Sequence, residues 1–167
     1  MSLIKDVEVL RSIPIFAKFE PAKLKLLAFT SERLRFMDGD EICHQGEVGD
    51  AAYIILDSET DVLVDTPGGA LRVATVGKND IIGEIAILCD VPRTATVTAS
   101  TDVETLKVSK DNFFQLLTQF PQIGVEVMHE LASRLHHTTQ QLTAAKARLS
   151  ELERATFSAP RLKAGLN

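Results

Sequence analysis

Gly83, Glu84, Arg93 and Thr94 are the residues whose types and spacing could do chemistry in this chain. Gly83 permits a sharp backbone turn and a close approach to a ligand. Glu84 to Leu88 has the length of one short helical turn. The first N–H groups of such a turn lack intrahelical partners and favour negative charge. Pro92 closes the turn, and Arg93 supplies a planar, permanently charged fork suited to a phosphate. Glu84 is unsuited to an anion, because like charges repel. It can accept a hydrogen bond from a sugar hydroxyl or pair with Arg93. Gly83 and Ala95 are small, as a site open to its own backbone requires. Thr94-Ala95-Thr96-Val97 is a β-branched run that enters a strand. The plainer alternative is an ordinary turn beside an ordinary ion pair.

Taken whole, Ile82-Gly83-Glu84-Ile85-Ala86-Ile87 followed by Pro92-Arg93-Thr94-Ala95-Thr96-Val97 resembles the phosphate-binding cassette of cyclic nucleotide-binding domains. This is the family of the catabolite activator protein and the regulatory subunits of cyclic-nucleotide-dependent kinases. The family pattern is Phe-Gly-Glu-apolar-Ala-apolar, a short gap, then Pro-Arg-Ala/Ser/Thr-Ala-x-Val. Only the Phe is replaced, by Ile82. Gly39 to Ile42, Gln45 to Asp50 and Tyr53 to Ile55 match the front half of the family, and the similarity runs from about residue 12 to about 140. Ser58 stands where the family often has glycine, which bears on the turn there.

The resemblance implies a receptor for cAMP or cGMP, with cAMP expected first and no cofactor beyond that ligand. Glu84 would accept from the ribose 2′-OH and Arg93 would pair with the cyclic phosphate. Backbone N–H groups of Gly83, Glu84, Ala86 and Ala95 would complete the cradle, with Ile85, Val97 and Leu135 among the ligand contacts. Thr94 would add a hydroxyl near the phosphate and, for a syn purine, near a guanine amino group. Thr138 and Thr139 match the stretch that reaches the adenine amino group, one residue from each subunit. Binding would be signalled by movement of the last two helices, to a protein partner the sequence does not name.

The elements that must position these residues follow from periodicity. Leu3, Ile4, Val7 and Leu10 fall at helical spacing, and Ile13-Pro14-Ile15-Phe16 ends that helix. Glu20-Pro21 opens a second helix, with Leu24, Leu27 and Ala28 on one face. From about Ser31 the period becomes two. Short strands follow, parted by Asp38-Gly39-Asp40, Gln45 to Asp50, Thr66-Pro67-Gly68-Gly69 and Gly77 to Asp80. Ser109 is an N-cap for a helix carrying Phe113, Phe114, Leu116 and Leu117. Pro121 starts the last and longest helix. The expected fold is α+β: an antiparallel jelly-roll barrel (a double-stranded β-helix) with leading helices over 1–120, a long helix over 121–155 and a disordered tail over 156–167.

Composition excludes several other classes. The 167 residues, 45% hydrophobic, suit one domain plus an appendage. A net charge of −5 offers no general attraction to nucleic acid or anionic membrane. No apolar run approaches membrane-spanning length, and Met1 to Asp6 lacks the marks of a secretory signal, so a cytoplasmic setting is expected. Cys43 and Cys89 have no metal-ligand spacing and read as reduced thiols. A jelly roll can be a cupin-type metal enzyme, but only His44 lies among the strands, while His129, His136 and His137 fall on the last helix. No nucleophile–base pair stands out, so no catalytic or metal-binding residue is assigned and the chain is read as a non-enzyme. A transcription factor would need a helix-turn-helix after the long helix, and the given chain ends within about 12 residues of it. A free-standing receptor without direct DNA binding is therefore expected. The alternative is the ligand-binding fragment of a transcription factor, channel or kinase.

One pattern remains in the long helix. Met128, Leu131, Leu135, Thr138, Leu142, Ala145, Leu149 and Leu152 recur at alternating steps of three and four. That is a heptad seam, and it predicts a parallel homodimer through 128–152. The competing reading lays the helix on its own barrel, which needs only a broad apolar face.

Overall fold

Among the described residues, alternating apolar residues and glycine-bearing turns build eight strands, with helices before, within and after them. The computed structural model describes residues 3–157. Two helices lead in, α1 (Leu3–Ser12) and α2 (Pro21–Thr30), parted by a 3-10 turn at Pro14–Phe16. Pro14 has no N–H to continue α1, whereas Pro21 opens α2 at a position where no partner for that N–H exists. Then come β1 (Glu32–Phe36), β2 (Glu41–Cys43), β3 (Ala51–Asp57), β4 (Glu59–Thr66), β5 (Gly69–Gly77) and β6 (Ile81–Ile82). The short helix α3 (Glu84–Cys89) precedes β7 (Thr96–Ala99) and β8 (Val103–Ser109), and α4 (Lys110–Gln119) and α5 (Pro121–Phe157) close the described chain.

All strand pairs are antiparallel and form two four-stranded sheets, ordered β1-β8-β3-β6 and β2-β7-β4-β5. Ile42, Cys43, Val97 and Ala99 from one sheet pack with Tyr53, Ile55, Ile82 and Val103 from the other. The jelly roll thus takes the form of two sheets sharing one core. Six consecutive residues of β3, Ala51 to Leu56, are buried, as a central strand covered on both faces requires. Arg33 of β1 ties α1 to this frame, bonding Asp6 of α1 and Glu104 of β8.

Turns carry the local exceptions. Ser58, between β3 and β4, has φ 70°, a conformation that glycine adopts without strain and serine does not. The departure from the family's glycine is therefore absorbed in the backbone. Ser109 caps α4 as its type predicts, its hydroxyl accepting from Asn112 N at 3.3 Å.

The chain divides into two compact units after Gly124. The first holds the leading helices and both sheets. In the second, α5 runs past the expected end at 155 as far as Phe157. The remainder of the tail expected to be disordered, 158–167, lies outside the described residues. Along α5, Met128, Leu135, Leu142, Leu149 and Leu152 are each more than half exposed, between 53% and 68%.

Candidate functional site

The cassette is built by three backbone devices. Gly83 takes φ 79°, turning the chain from β6 into α3. It caps α3 without a side-chain hydrogen bond of its own. Asp90 ends α3 in a second left-handed conformation, φ 55°, which swings the chain into Val91-Pro92. The segment 45–49 then clamps Arg93: Gly46 N donates to Arg93 O and Arg93 N donates to Glu47 O, each at 2.8 Å. Gln45 N donates to Thr96 Oγ1 at 3.0 Å and fixes the start of β7 beside it.

These devices put a charge inside the protein. The Arg93 side chain is 4% exposed. Its Nη1 donates to Gly83 O at 2.9 Å, and its guanidinium lies 5.9 Å from the centre of the Tyr53 ring. The nearest carboxylate, Asp50, is 3.9 Å away and itself 75% exposed. A buried guanidinium with so loose a counter-ion is costly to a folded protein unless an anion joins it. Its field is felt nearby. Burial pushes the Cys43 thiol and the Tyr53 phenol up, and Arg93 is the largest influence opposing that rise at each.

Two glycines make the close packing possible. A Cβ on Gly83 would strike Arg93 Nη1. A Cβ on Gly49 would lie 2.5 Å from Ala86 Cβ and 3.3 Å from Arg93 Cζ.

Arg93 meets Gly83, Ala86 and Arg93 both border Gly49, and Glu84, next to Gly83 in the chain, is buried at 6% exposure. Ile85 is 43% exposed and Thr94 is exposed, so both stand where a ligand could be touched from outside. Ala95 is half-buried, its carbonyl 4.0 Å from Cys43 Sγ. Val97 belongs to the core shared by the sheets. Leu135, Thr138 and Thr139 lie in the second unit on α5, where Thr139 Oγ1 donates to Leu135 O at 2.8 Å. Sequence reasoning missed Gly49, Asp50 and Tyr53 as neighbours of Arg93. In sequence the first two stand in a turn and Tyr53 in a stretch matched only to the front half of the family. Of the other candidate groups, His44 Nδ1 lies 3.0 Å from Glu41, and His129, His136 and His137 are exposed on α5. Among the described residues, no cluster of three or more His, Cys, Asp or Glu could hold a metal.

Residues 33–120 match the family model of the cyclic nucleotide-binding domain, and the chain belongs to that family. It is 29% identical over 136 residues to the CRP-like cAMP-activated global transcriptional regulator of Mycobacterium tuberculosis, covering 81% of this chain and 61% of that one. It is 32% identical over 109 residues to the cAMP-dependent protein kinase regulatory subunit of Blastocladiella emersonii, covering 65% of this chain and 27% of that one. The chain thus spans only part of the length of these relatives. Among solved structures, the catabolite activator protein of Thermus thermophilus shares the fold, with a TM-score of 0.72 at 24% identity over 80% of this chain and 63% of that one. No helix among the described residues is long and apolar enough to cross a membrane.

Proposed function

We propose that this chain is a cyclic nucleotide receptor that prefers cAMP to cGMP and acts by binding, without catalysis. The observation that carries the reading is Arg93, a buried cation whose nearest carboxylate is 3.9 Å away and faces solvent. A cyclic phosphate placed against that guanidinium would supply the missing charge, with the start of α3 alongside. Glu84 would take the ribose 2′-OH, and Gly83, Ala86 and Ala95 would leave room at the backbone. Ile85, Thr94 and Val97 complete the proposed contacts in the first unit. The printed names of the relatives, cAMP-activated and cAMP-dependent, support cAMP. Thr94 makes cGMP acceptable as a weaker ligand.

The active form we propose is a parallel homodimer through residues 128–152, with Leu135, Thr138 and Thr139 reaching the base. The exposed stripe on α5 supports it, since a heptad seam left in water gains by meeting another. Flanking charges favour the parallel arrangement: Arg148 and Glu153, five residues apart on either side of the seam, become partners across two parallel chains. Ligand binding would then be read out through α4 and α5. The two free thiols, Cys43 and Cys89, fit a cytoplasmic setting.

Calorimetric titration with cAMP, cGMP and a cyclic dinucleotide tests the reading. The expected order is cAMP tightest, cGMP weaker and no binding of the dinucleotide. Absence of heat with both mononucleotides would overturn it.

A further inference from the structure

The sheet that leads out of the cassette lacks a strand where the cassette ends. In the order β2-β7-β4-β5, β7 lies between β2 and β4. Its first residue, Thr96, pairs with Leu63 of β4, and the chain before it is Arg93-Thr94-Ala95. β4 continues through Val64, Asp65 and Thr66, which have strand partners only on β5. A backbone N–H on the other side of β4 must find its acceptor elsewhere. Asp65 N finds it in a side chain, donating to Gln45 Oε1 at 2.8 Å.

Gln45 is half-buried and stands two residues past the end of β2. Its backbone N donates to Thr96 Oγ1 at 3.0 Å, and Thr96 is buried. One residue thus meets β4 with its amide oxygen and β7 with its main chain. The next two residues grip Arg93: Gly46 N donates to Arg93 O and Arg93 N to Glu47 O, each at 2.8 Å. Gly46, Glu47 and Arg93 all lie outside the strands. Loop bonds of this kind open more easily than those inside a ladder, unless the loop is tied down close by. Gln45 is such a tie, one residue from the grip.

We propose that Gln45 is a positioning residue for Arg93. Its side chain spans the gap beside β4 and fixes the loop that grips the Arg93 backbone. Arg93 is thereby held in one geometry before an anion arrives, and a preorganised group loses less entropy on binding. That the anion is a cyclic phosphate rests on the receptor reading above, whereas the grip on Arg93 does not.

The test uses the full chain and two substitutions. Gln45→Met keeps the length of the side chain but lacks a strong acceptor, whereas Gln45→Glu keeps an oxygen at the same reach. Amide hydrogen exchange is read residue by residue by NMR, without nucleotide. In Gln45→Met the amides of Asp65, Gly46 and Arg93 should exchange about 2- to 12-fold faster than in the wild type, the scale of one lost hydrogen bond. Gln45→Glu should return all three to wild-type rates. Ala99 N donates to Asp40 O at 2.9 Å at the far end of β7, and its exchange should be unchanged in both variants, which shows that the fold is intact. Calorimetry should then find cAMP affinity lowered by about 2- to 12-fold in Gln45→Met. Faster exchange at Asp65 alone, equally faster exchange at Ala99, or unchanged cAMP affinity in Gln45→Met beside a wild type that binds, overturns the proposal. A wild type that binds no nucleotide overturns the receptor reading instead, and the exchange rates still decide whether Gln45 holds Arg93.

Discussion

The cassette and the long helix depart from the usual partition of residues in opposite directions. At the cassette a permanent cation is buried, with Arg93 at 5% exposure. Along α5 aliphatic side chains are bare, with Leu135 at 68% and Leu149 at 60%. Ordinary folding places charges outside and leucines inside. Each region is therefore locally unfavourable, and a partner of opposite character would relieve each: an anion for the first, a second apolar stripe for the second. Function is most visible where the isolated chain is energetically unsatisfied.

The comparison breaks hardest at Arg93. Arg93→Ala should abolish cyclic nucleotide binding. Hydrogen bonds to a charged group are worth about 1.5–3 kcal/mol each, so loss of a paired contact costs about 100-fold or more in affinity. The apo protein should keep its melting temperature or gain, because a poorly compensated buried charge has gone. Arg93→Lys should also bind badly, since an ammonium cannot make the paired contact. Affinity unchanged in Arg93→Ala, measured by calorimetry, would remove the cassette assignment.

The opposite test is at Leu142, in the exposed stripe. Leu142→Glu should place a carboxylate at the centre of the seam in both chains. The dimer dissociation constant should rise by about 100-fold or more, giving monomers in light scattering at micromolar concentration. A wild type that is monomeric with and without ligand would rule the arrangement out.

The two regions were legible in the sequence to different degrees. The cassette was readable residue by residue, because Gly83, Glu84 and Arg93 each answer a local demand of backbone or charge. The strands followed from period two and glycine turns, and Ser109 and Pro21 marked helix starts for local reasons. What was not legible came from residues distant in sequence. Asp50 and Tyr53 flank Arg93 only because β3 and the cassette meet in the fold, and no spacing rule encodes that meeting. Gly49 was read as a turn, yet its missing side chain is what admits Ala86 and Arg93. The heptad pattern on α5 was legible from its spacing alone, and Met128, Leu135, Leu142, Leu149 and Leu152 are exposed there.

A smaller effect is expected at Glu84. Glu84→Ala should weaken cAMP binding by about 1–3 kcal/mol, the cost of leaving a buried hydrogen-bonding group unmatched. A 2′-deoxy ligand should bind the wild type poorly, and Glu84→Ala should no longer distinguish it from cAMP. Equal binding of cAMP and 2′-deoxy-cAMP to the wild type would give Glu84 another task.

The smallest effects sharpen the comparison, because the proposed site would take a threonine hydroxyl from each region. One neutral hydrogen bond contributes about 0.5–1.5 kcal/mol, or roughly 2- to 12-fold in affinity. If guanine sits syn against the cassette, Thr94→Ala should lower cGMP affinity by that factor and leave cAMP nearly unchanged. If adenine is read by the long helix, Thr138→Ala should lower cAMP affinity by a similar factor without changing the dimer. The two variants therefore move the cAMP-to-cGMP ratio in opposite directions, Thr94→Ala raising it and Thr138→Ala lowering it. Competition titrations with both nucleotides on each variant measure that ratio directly. An equal loss of both nucleotides in Thr94→Ala would assign its hydroxyl to the phosphate alone. No change in Thr138→Ala would confine the ligand to the cassette and leave the long helix as a dimer element only.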